Sequence, residues 1–292
     1  IPIMALMQEL LCHQLCRDVA LAPLTVEEIR SFLGEAPAQA NEPARMAPLL
    51  HRYSGGNPLF MMAALEHLAQ RGLIARDGEA WRATRPTERI DLGVPEVLRV
   101  MLETEIERLS PTEQRALEAA SVIGASFTVD QVAAAADLAP ESVEDLCEHL
   151  SRRPRIVRSC DDRPAGRSYE FVHSLFRQIL YERQPASRRA RLHRRVGENL
   201  ESSRLEQASE IAPELAEHFE RASDWPRAIK YHSLAASSAG RSGDREAVAL
   251  LTHALGLAHN LPDANRSVTE TMLLGKLATL YGASIEAPAV ES

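Results

Sequence analysis

Helix punctuation recurs along most of this chain and leaves little room for a sheet-based fold. Thr25-Val-Glu-Glu28 and Ser110-Pro-Thr-Glu113 are capping boxes, in which a hydroxyl and a carboxylate three residues apart satisfy each other's free backbone donors. Asn57-Pro58 sets a good N-cap before a first-turn proline, and Gly34, Gly72 and Gly124 stand where the helices begun upstream would stop. Aromatic residues make up only 4% of the chain. The interior must therefore be mostly Ala, Leu, Val and Ile, which suits helix against helix better than a sandwich of strands. The expected fold class is mostly α.

A length of 292 residues allows for two domains of about 100–200 residues each. Arg17 to Leu24 reads as a short buried strand ending at Pro23. The helix opened by Thr25 should carry Ile29, Phe32 and Leu33 on one face. A Pro/Ala-rich linker from Glu35 to Pro43 leads to a second helix ending near Tyr53, and Gly55-Gly56 breaks it. A third helix spans Leu59 to Arg71, and Leu73 to Thr84 reads as a hairpin turning at Asp77-Gly78.

After Pro95 an amphipathic helix is expected over Val97 to Leu109, with Val97, Leu98, Met101, Leu102, Ile106 and Leu109 apolar. The Ser110 box opens the next helix. Short helices over Thr128 to Ala136 and Pro140 to Leu150 precede strands at Arg155 to Ser159 and Ser168 to Val172, joined through Asp161, Asp162, Pro164 and Gly166. Three helices followed by a β-hairpin is the element order of a winged helix, closed here by a helix over Ser174 to Arg183.

From Ser187 only helical patterns remain. Leu192, Val196 and Leu200 form one stripe, and Leu215/Phe219, Ala228/Tyr231/Ala235 and Ala247/Leu250/Leu251/Ala254 mark further helices. Asp224-Trp-Pro-x-Ala228-x-x-Tyr231 and Asp244-x-Glu-Ala247-x-x-Leu250 share a phrase that is similar to a tetratricopeptide helix. Their spacing is well short of the repeat period of about 34 residues, so the array is irregular. Val268 to Tyr281 presents Met272, Leu273, Leu274, Leu277 and Leu280 with no polar capping helix after it. That end should be uncapped, self-associating or covered by a partner.

Several function classes are excluded by the residues themselves. Lys230 and Lys276 are the only lysines, and neither sits in G-x-x-x-x-G-K-[ST], so these residues contain no P-loop. Cys12-His13-x-x-Cys16 has no second ligand pair at zinc spacing, and with Cys147 and Cys160 it forms no disulfide framework, so no metal site is expected. No apolar run reaches the roughly 18 residues of a membrane span and no signal peptide is evident, which makes a cytoplasmic location and no membrane partner the expectation. G-x-S-x-G and H-E-x-x-H are absent, and Asp161-Asp162 lies in a turn with no phosphate loop to serve.

A net charge of −8 argues against phosphate-backbone binding by the whole chain. The helix that would enter a DNA groove carries Glu141, Glu144, Asp145 and Glu148, so direct DNA binding is not expected. The one basic cluster, Arg183, Arg188, Arg189, Arg191, Arg194 and Arg195, has no interleaved aromatics and reads as a solvated face pairing with acids.

Five motifs occur in a fixed order: the stretch from Leu21 to Glu28, SGGNPLF (Ser54 to Phe60), Leu92 to Phe127, YEFVHSLFRQILY (Tyr169 to Tyr181) and RRARLHRRVGENLE (Arg188 to Glu201). Together they resemble the C-terminal two-thirds of bacterial STAND-class, AAA-like ATPase regulators, which are often joined to a LuxR-type DNA-binding tail or a nucleotide cyclase. The resemblance implies a remnant of a nucleotide-binding core (1–24), a helical lid with a small hairpin (25–94), a winged-helix domain (95–185) and a truncated tetratricopeptide-like array (186–292).

In that family a GxP turn lies against adenine, and Gly56-Asn57-Pro58 is similar to it. A winged-helix histidine contacts the β-phosphate of ADP, and His173 is at the matching position, although Ser174 replaces the aspartate that often follows. The resemblance implies signal transduction or transcription regulation, with no cofactor in this chain but ATP/ADP in the intact parent. It implies two partners, the parent's nucleotide-binding core and a protein or small-molecule effector at the array. The chain as given is then no enzyme, while the parent is an ATPase. The chain begins at Ile1, so a P-loop within about 150–250 codons upstream is expected. A stand-alone nucleotide-binding ATPase domain or a DNA-binding winged-helix regulator is the alternative.

Overall fold

The Thr25 and Ser110 boxes form as their residues dictate: Glu28 N–H donates to Thr25 Oγ1 at 3.2 Å and Thr25 N–H to Glu28 Oε2 at 2.8 Å, with the equivalent pair at Ser110 and Glu113. A computed structural model describes residues 21–34, 42–78, 80–84, 93–152, 156–160, 167–204, 207–239 and 244–285, and singly His13 and Leu15. Its described residues are mostly helical, as expected. The chain divides into two units, Ile1–Val100 and Met101–Ser292.

In the first unit, α1 (Val26–Leu33), α2 (Glu42–Ser54) and α3 (Pro58–Gln70) are followed by the antiparallel strands β1 (Ile74–Asp77) and β2 (Ala80–Ala83). Met46, Leu50, Leu65 and Leu68 are fully buried among them. Ile29 and Leu33 of α1 are buried, but Phe32 is exposed. A helix of two turns packs along one line, here the i, i+4 line through 29 and 33, and position 32 is turned about 60° from 29 and about 100° from 33, off that line. Leu21 to Leu24 have no regular structure, and Leu21 is exposed. The rest of the expected strand, Arg17 to Ala20, lies outside the described residues, as do Cys12, Cys16, Asp161 and Asp162.

The next helix, α4 (Glu96–Glu107), buries Leu98, Leu102 and Ile106 and leaves Val97 and Met101 exposed. The stripe is narrower than the sequence implies, because only the i, i+4, i+8 line is covered.

The second unit begins with α5 (Pro111–Ile123), β3 (Ser126–Thr128), α6 (Val129–Ala136), α7 (Pro140–Ser151), β4 (Val157–Cys160), β5 (Ser168–Phe171) and α8 (Ser174–Glu182). The expected hairpin is present as β4–β5. A strand not anticipated from the sequence, β3, pairs on the other side of β5, giving the antiparallel order β3-β5-β4. Several of the few aromatics gather here: the Phe127 ring lies 6.3 Å from that of Tyr169 and 5.5 Å from that of Phe171. Arg167 pairs with both Glu144 and Glu148 of α7.

Five helices follow: α9 (Ala186–Ser203), α10 (Ala212–Arg221), α11 (Trp225–Ala239), α12 (Asp244–Ala258) and α13 (Asp263–Ile285), each packed on the next. Leu192, Val196 and Leu200 are buried as expected. A single apolar core joins α5 and α6, through Ala119, Val122, Ala135 and Ala136, to α9 and onward to Leu273 of α13. The apolar stripe of α13 is split. Leu273 is fully buried and Leu277 and Leu280 pack on the same core, while Met272 and Leu274 face outward. Leu273 is therefore covered from within the chain, and Leu277 and Leu280 partly so.

Arg188 pairs with Glu118 of α5 at 2.6 Å, and Arg195 pairs with Asp137 at 3.7 Å while donating to the Ala135 carbonyl. Part of the arginine cluster is thus tied to the preceding helices. No described helix is long and apolar enough to cross a membrane.

Candidate functional site

Four residues carry expectations from the sequence. Gly56 takes a left-handed backbone, φ +77°, and packs so closely that a Cβ would stand 2.5 Å from the Leu24 carbonyl oxygen and 2.8 Å from Pro23 Cβ. Its carbonyl accepts from Leu24 N–H at 2.8 Å. Asn57 is the N-cap of α3 and accepts from Leu59 N–H at 2.9 Å and Phe60 N–H at 3.5 Å. The amides that could meet a phosphate are therefore already engaged. Pro58 is exposed. His173 is the N-cap residue of α8 in the other unit, and its side chain makes no capping hydrogen bond. Burial, with help from Arg158, lowers its pKa and so disfavours the charged ring.

A cavity of about 370 Å³ opens in the second unit where α5, α8, α9 and α10 meet. Its polar wall is a chain of side chains that the sequence did not single out. Arg221 donates to Tyr181 Oη at 3.1 Å, Tyr181 Oη lies 3.0 Å from Nε2 of His193, and Nδ1 of His193 lies 3.0 Å from Nδ1 of His218. Glu217 holds the Arg221 guanidinium from the other side at 2.9 Å.

Both rings are neutral. Burial, then His218 and the Arg221, Arg189 and Arg177 guanidiniums, push His193 down to about 3. Burial pushes His218 down to about 4, opposed by Glu217 and assisted by Arg221. One of the two facing Nδ1 atoms must carry the hydrogen. The arrangement that uses every hydrogen runs from Arg221 to Tyr181, from the Tyr181 hydroxyl to His193 Nε2, and from His193 Nδ1–H to His218 Nδ1, leaving Nε2–H of His218 as the terminal donor. Arg189 stacks over the Tyr181 ring at 5.1 Å and fixes its plane.

No protein-family model matches the chain, nor does any curated protein.

The cavity holds fixed polar groups of both signs against the apolar side chains of Val122 and Ile123, at a volume suited to a small polar ligand. Tyr181 and His193 fall within two of the motifs quoted from the sequence, and His193 stands beside Leu192 and four residues before Gly197 on the buried face of α9, whereas His218 and Arg221 lie in none of them.

Proposed function

We propose that this chain is the regulatory and interaction portion of a STAND-type, ATP-dependent signalling or transcription regulator. In this reading residues 25–94 serve as the lid, 95–185 as the winged-helix part and 186–292 as the sensor array, and they couple the nucleotide state of an ATPase core elsewhere in the parent to an effector. The observation that carries it is the continuity between the strand-bearing part and the array. One apolar core runs from α5 and α6 into α9 to α13, and the cavity is walled by α5 and α8 on one side and α9 and α10 on the other. A ligand there touches both parts, so its binding energy can bias their packing.

Gly56 is taken up by its contact with Leu24 and Asn57 by its own helix, which leaves the exposed ring of Pro58 as the surface for adenine in the parent. His173, its charged form disfavoured, would offer a ring hydrogen to a phosphate. The element order α5-β3-α6-α7-β4-β5 is similar to a winged helix, and the pairing of Arg167 with Glu144 and Glu148 supports an intramolecular role for α7 rather than a DNA-facing one.

The test is nucleotide exchange in the protein encoded by the whole reading frame. Tyr181→Phe and Arg221→Ala should alter the rate of ATP-for-ADP exchange followed with a fluorescent nucleotide. Exchange that neither substitution changes would overturn the coupling.

A further inference from the structure

Away from the cavity, three helices of the array bring one ligating side chain each to a single point. Glu220 lies in the last turn of α10, His232 in α11 and His253 in α12, and Glu220 Oε2 lies 2.9 Å from Nε2 of both histidines. The three ligand atoms all fall within 4.8 Å of one another, and the imidazoles stand edge to face with centroids 4.8 Å apart. His232 is buried, whereas His253 is half exposed, so the point is open to solvent on one side. Burial works against the Glu220 charge, but the hydrogen bonds from His253 and His232 outweigh it and hold the carboxyl below its ordinary range.

We propose that Glu220, His232 and His253 form a binding site for a divalent transition-metal ion of the zinc class, which ties α10, α11 and α12 together. Two imidazole nitrogens and one carboxylate oxygen are a borderline donor set suited to zinc, with bonds of about 2.0–2.2 Å and a fourth position left for water. Tetrahedral bonds of that length separate ligand atoms by about 3.4 Å, so binding opens the two Nε2–Oε2 distances from 2.9 Å and draws the two histidine nitrogens, now within 4.8 Å of each other, to the same separation through a turn of the half-exposed His253 ring.

Without metal, both Nε2–H groups donate to the one oxygen. Binding moves each ring hydrogen to Nδ1 and turns both Nε2 lone pairs to the ion. His232 Nδ1 is buried with no hydrogen-bond partner. It is therefore an unpaired acceptor without metal and an unpaired donor with it. This missing support makes binding weaker than at a structural zinc site with hydrogen-bonded ligands. His253, at the open rim, gives the ion its way in.

The consequence is mechanical. One ion spans the α10–α11 and α11–α12 contacts, so it stabilises the folded array through linkage and stiffens successive helices against one another. The sequence conceals the set because His232 and His253 lie on different helices and no short motif contains two of the ligands.

The test uses the whole chain stripped with a chelator and titrated with Co²⁺, read by visible d–d absorption, followed by displacement with Zn²⁺. Absorption should saturate at one equivalent and bleach with Zn²⁺, and Zn²⁺ should raise the melting temperature. His253→Ala is at a half-exposed position and should keep the wild-type circular dichroism and a cooperative metal-free melt while weakening Co²⁺ binding at least about tenfold. Glu220→Gln is the second variant, with the same expected loss. His259→Ala should bind as the wild type does. Absence of saturable binding overturns the proposal. So does binding that survives both ligand variants, or loss of binding in Cys12→Ser/Cys16→Ser, which would place the ion near the N-terminus.

Discussion

Gly197 in α9 stands against the ring of Phe219 in α10: a Cβ on the glycine would lie 3.0 Å from Cζ and 3.1 Å from Cε1. The ring has little room to retreat. It is fully buried, stacked on Tyr231 of α11 with centroids 5.7 Å apart, and overlain by the Arg227 guanidinium.

Gly197→Ala is therefore expected to destabilise the chain by about 1–3 kcal/mol through overpacking, although alanine is the better helix former by about 1 kcal/mol. Denaturant titration would read the loss as a lower midpoint at unchanged slope. Adding Phe219→Leu should recover part of the Gly197→Ala penalty, a coupling that a double-mutant cycle measures. Equal stability of wild type and Gly197→Ala would show that α9 and α10 separate at no cost.

The buried histidine pair sets a pH dependence. His193 and His218 are held at about 3 and about 4 in the folded chain, against an ordinary 6.5 when unfolded. Below about pH 6.5 the unfolded chain binds more protons than the folded one, so stability rises with pH through this window and is lost as pH falls toward 4. Each histidine contributes a slope of at most about 1.4 kcal/mol per pH unit. The arginines facing them stay charged throughout. His193→Gln with His218→Gln should flatten the slope between pH 6.5 and 4 in equilibrium denaturation, and an unchanged slope would assign it to other groups.

At the GNP turn two substitutions should differ in size. Asn57→Ala removes the cap of α3 and should cost about 1 kcal/mol. Gly56→Ala combines a left-handed φ with a Cβ only 2.5 Å from the Leu24 oxygen, and should cost more, about 2–3 kcal/mol. Thermal melts of the two variants decide it. A milder effect at Gly56 would mean that the Leu24 segment moves aside freely.

Nucleotide chemistry should be absent from the isolated chain. Neither Lys230 nor Lys276 is placed as a P-loop lysine, and Asn57 already occupies the α3 amides. Calorimetry should find weak or undetectable ATP and ADP binding, and a phosphate-release assay no turnover. Turnover that survives repurification would sink the regulatory reading.

Duplex DNA should not bind near physiological salt, since α7 offers Glu141, Glu144, Asp145 and Glu148 and part of the arginine cluster is paired within the chain. Fluorescence anisotropy with a random duplex is the measurement. Submicromolar affinity with a steep salt slope would transfer the role to Arg191, Arg194 and their neighbours.

Local chemistry settled much of the fold from the sequence alone. Caps at Thr25, Asn57 and Ser110 were legible because a cap is decided by residues three or four positions apart, and so was the β1–β2 hairpin, although Asp77 ends β1 paired with Ala80 and is not one of the two central residues of its turn. The mostly helical class followed from the scarcity of aromatics together with these signals. Tertiary structure decided what the helices bring together. Phe32 and Met101 belong to apolar faces by periodicity yet lie outside the covered line, since the rotation of a helix about its axis is set by its neighbours. His193 meets His218, and Glu220 meets His232 and His253, across helix contacts that join residues 12 to 33 positions apart. No local pattern encodes such a meeting, because side chains on separate helices share a point only when packing has fixed both the rotation and the axial offset of each helix.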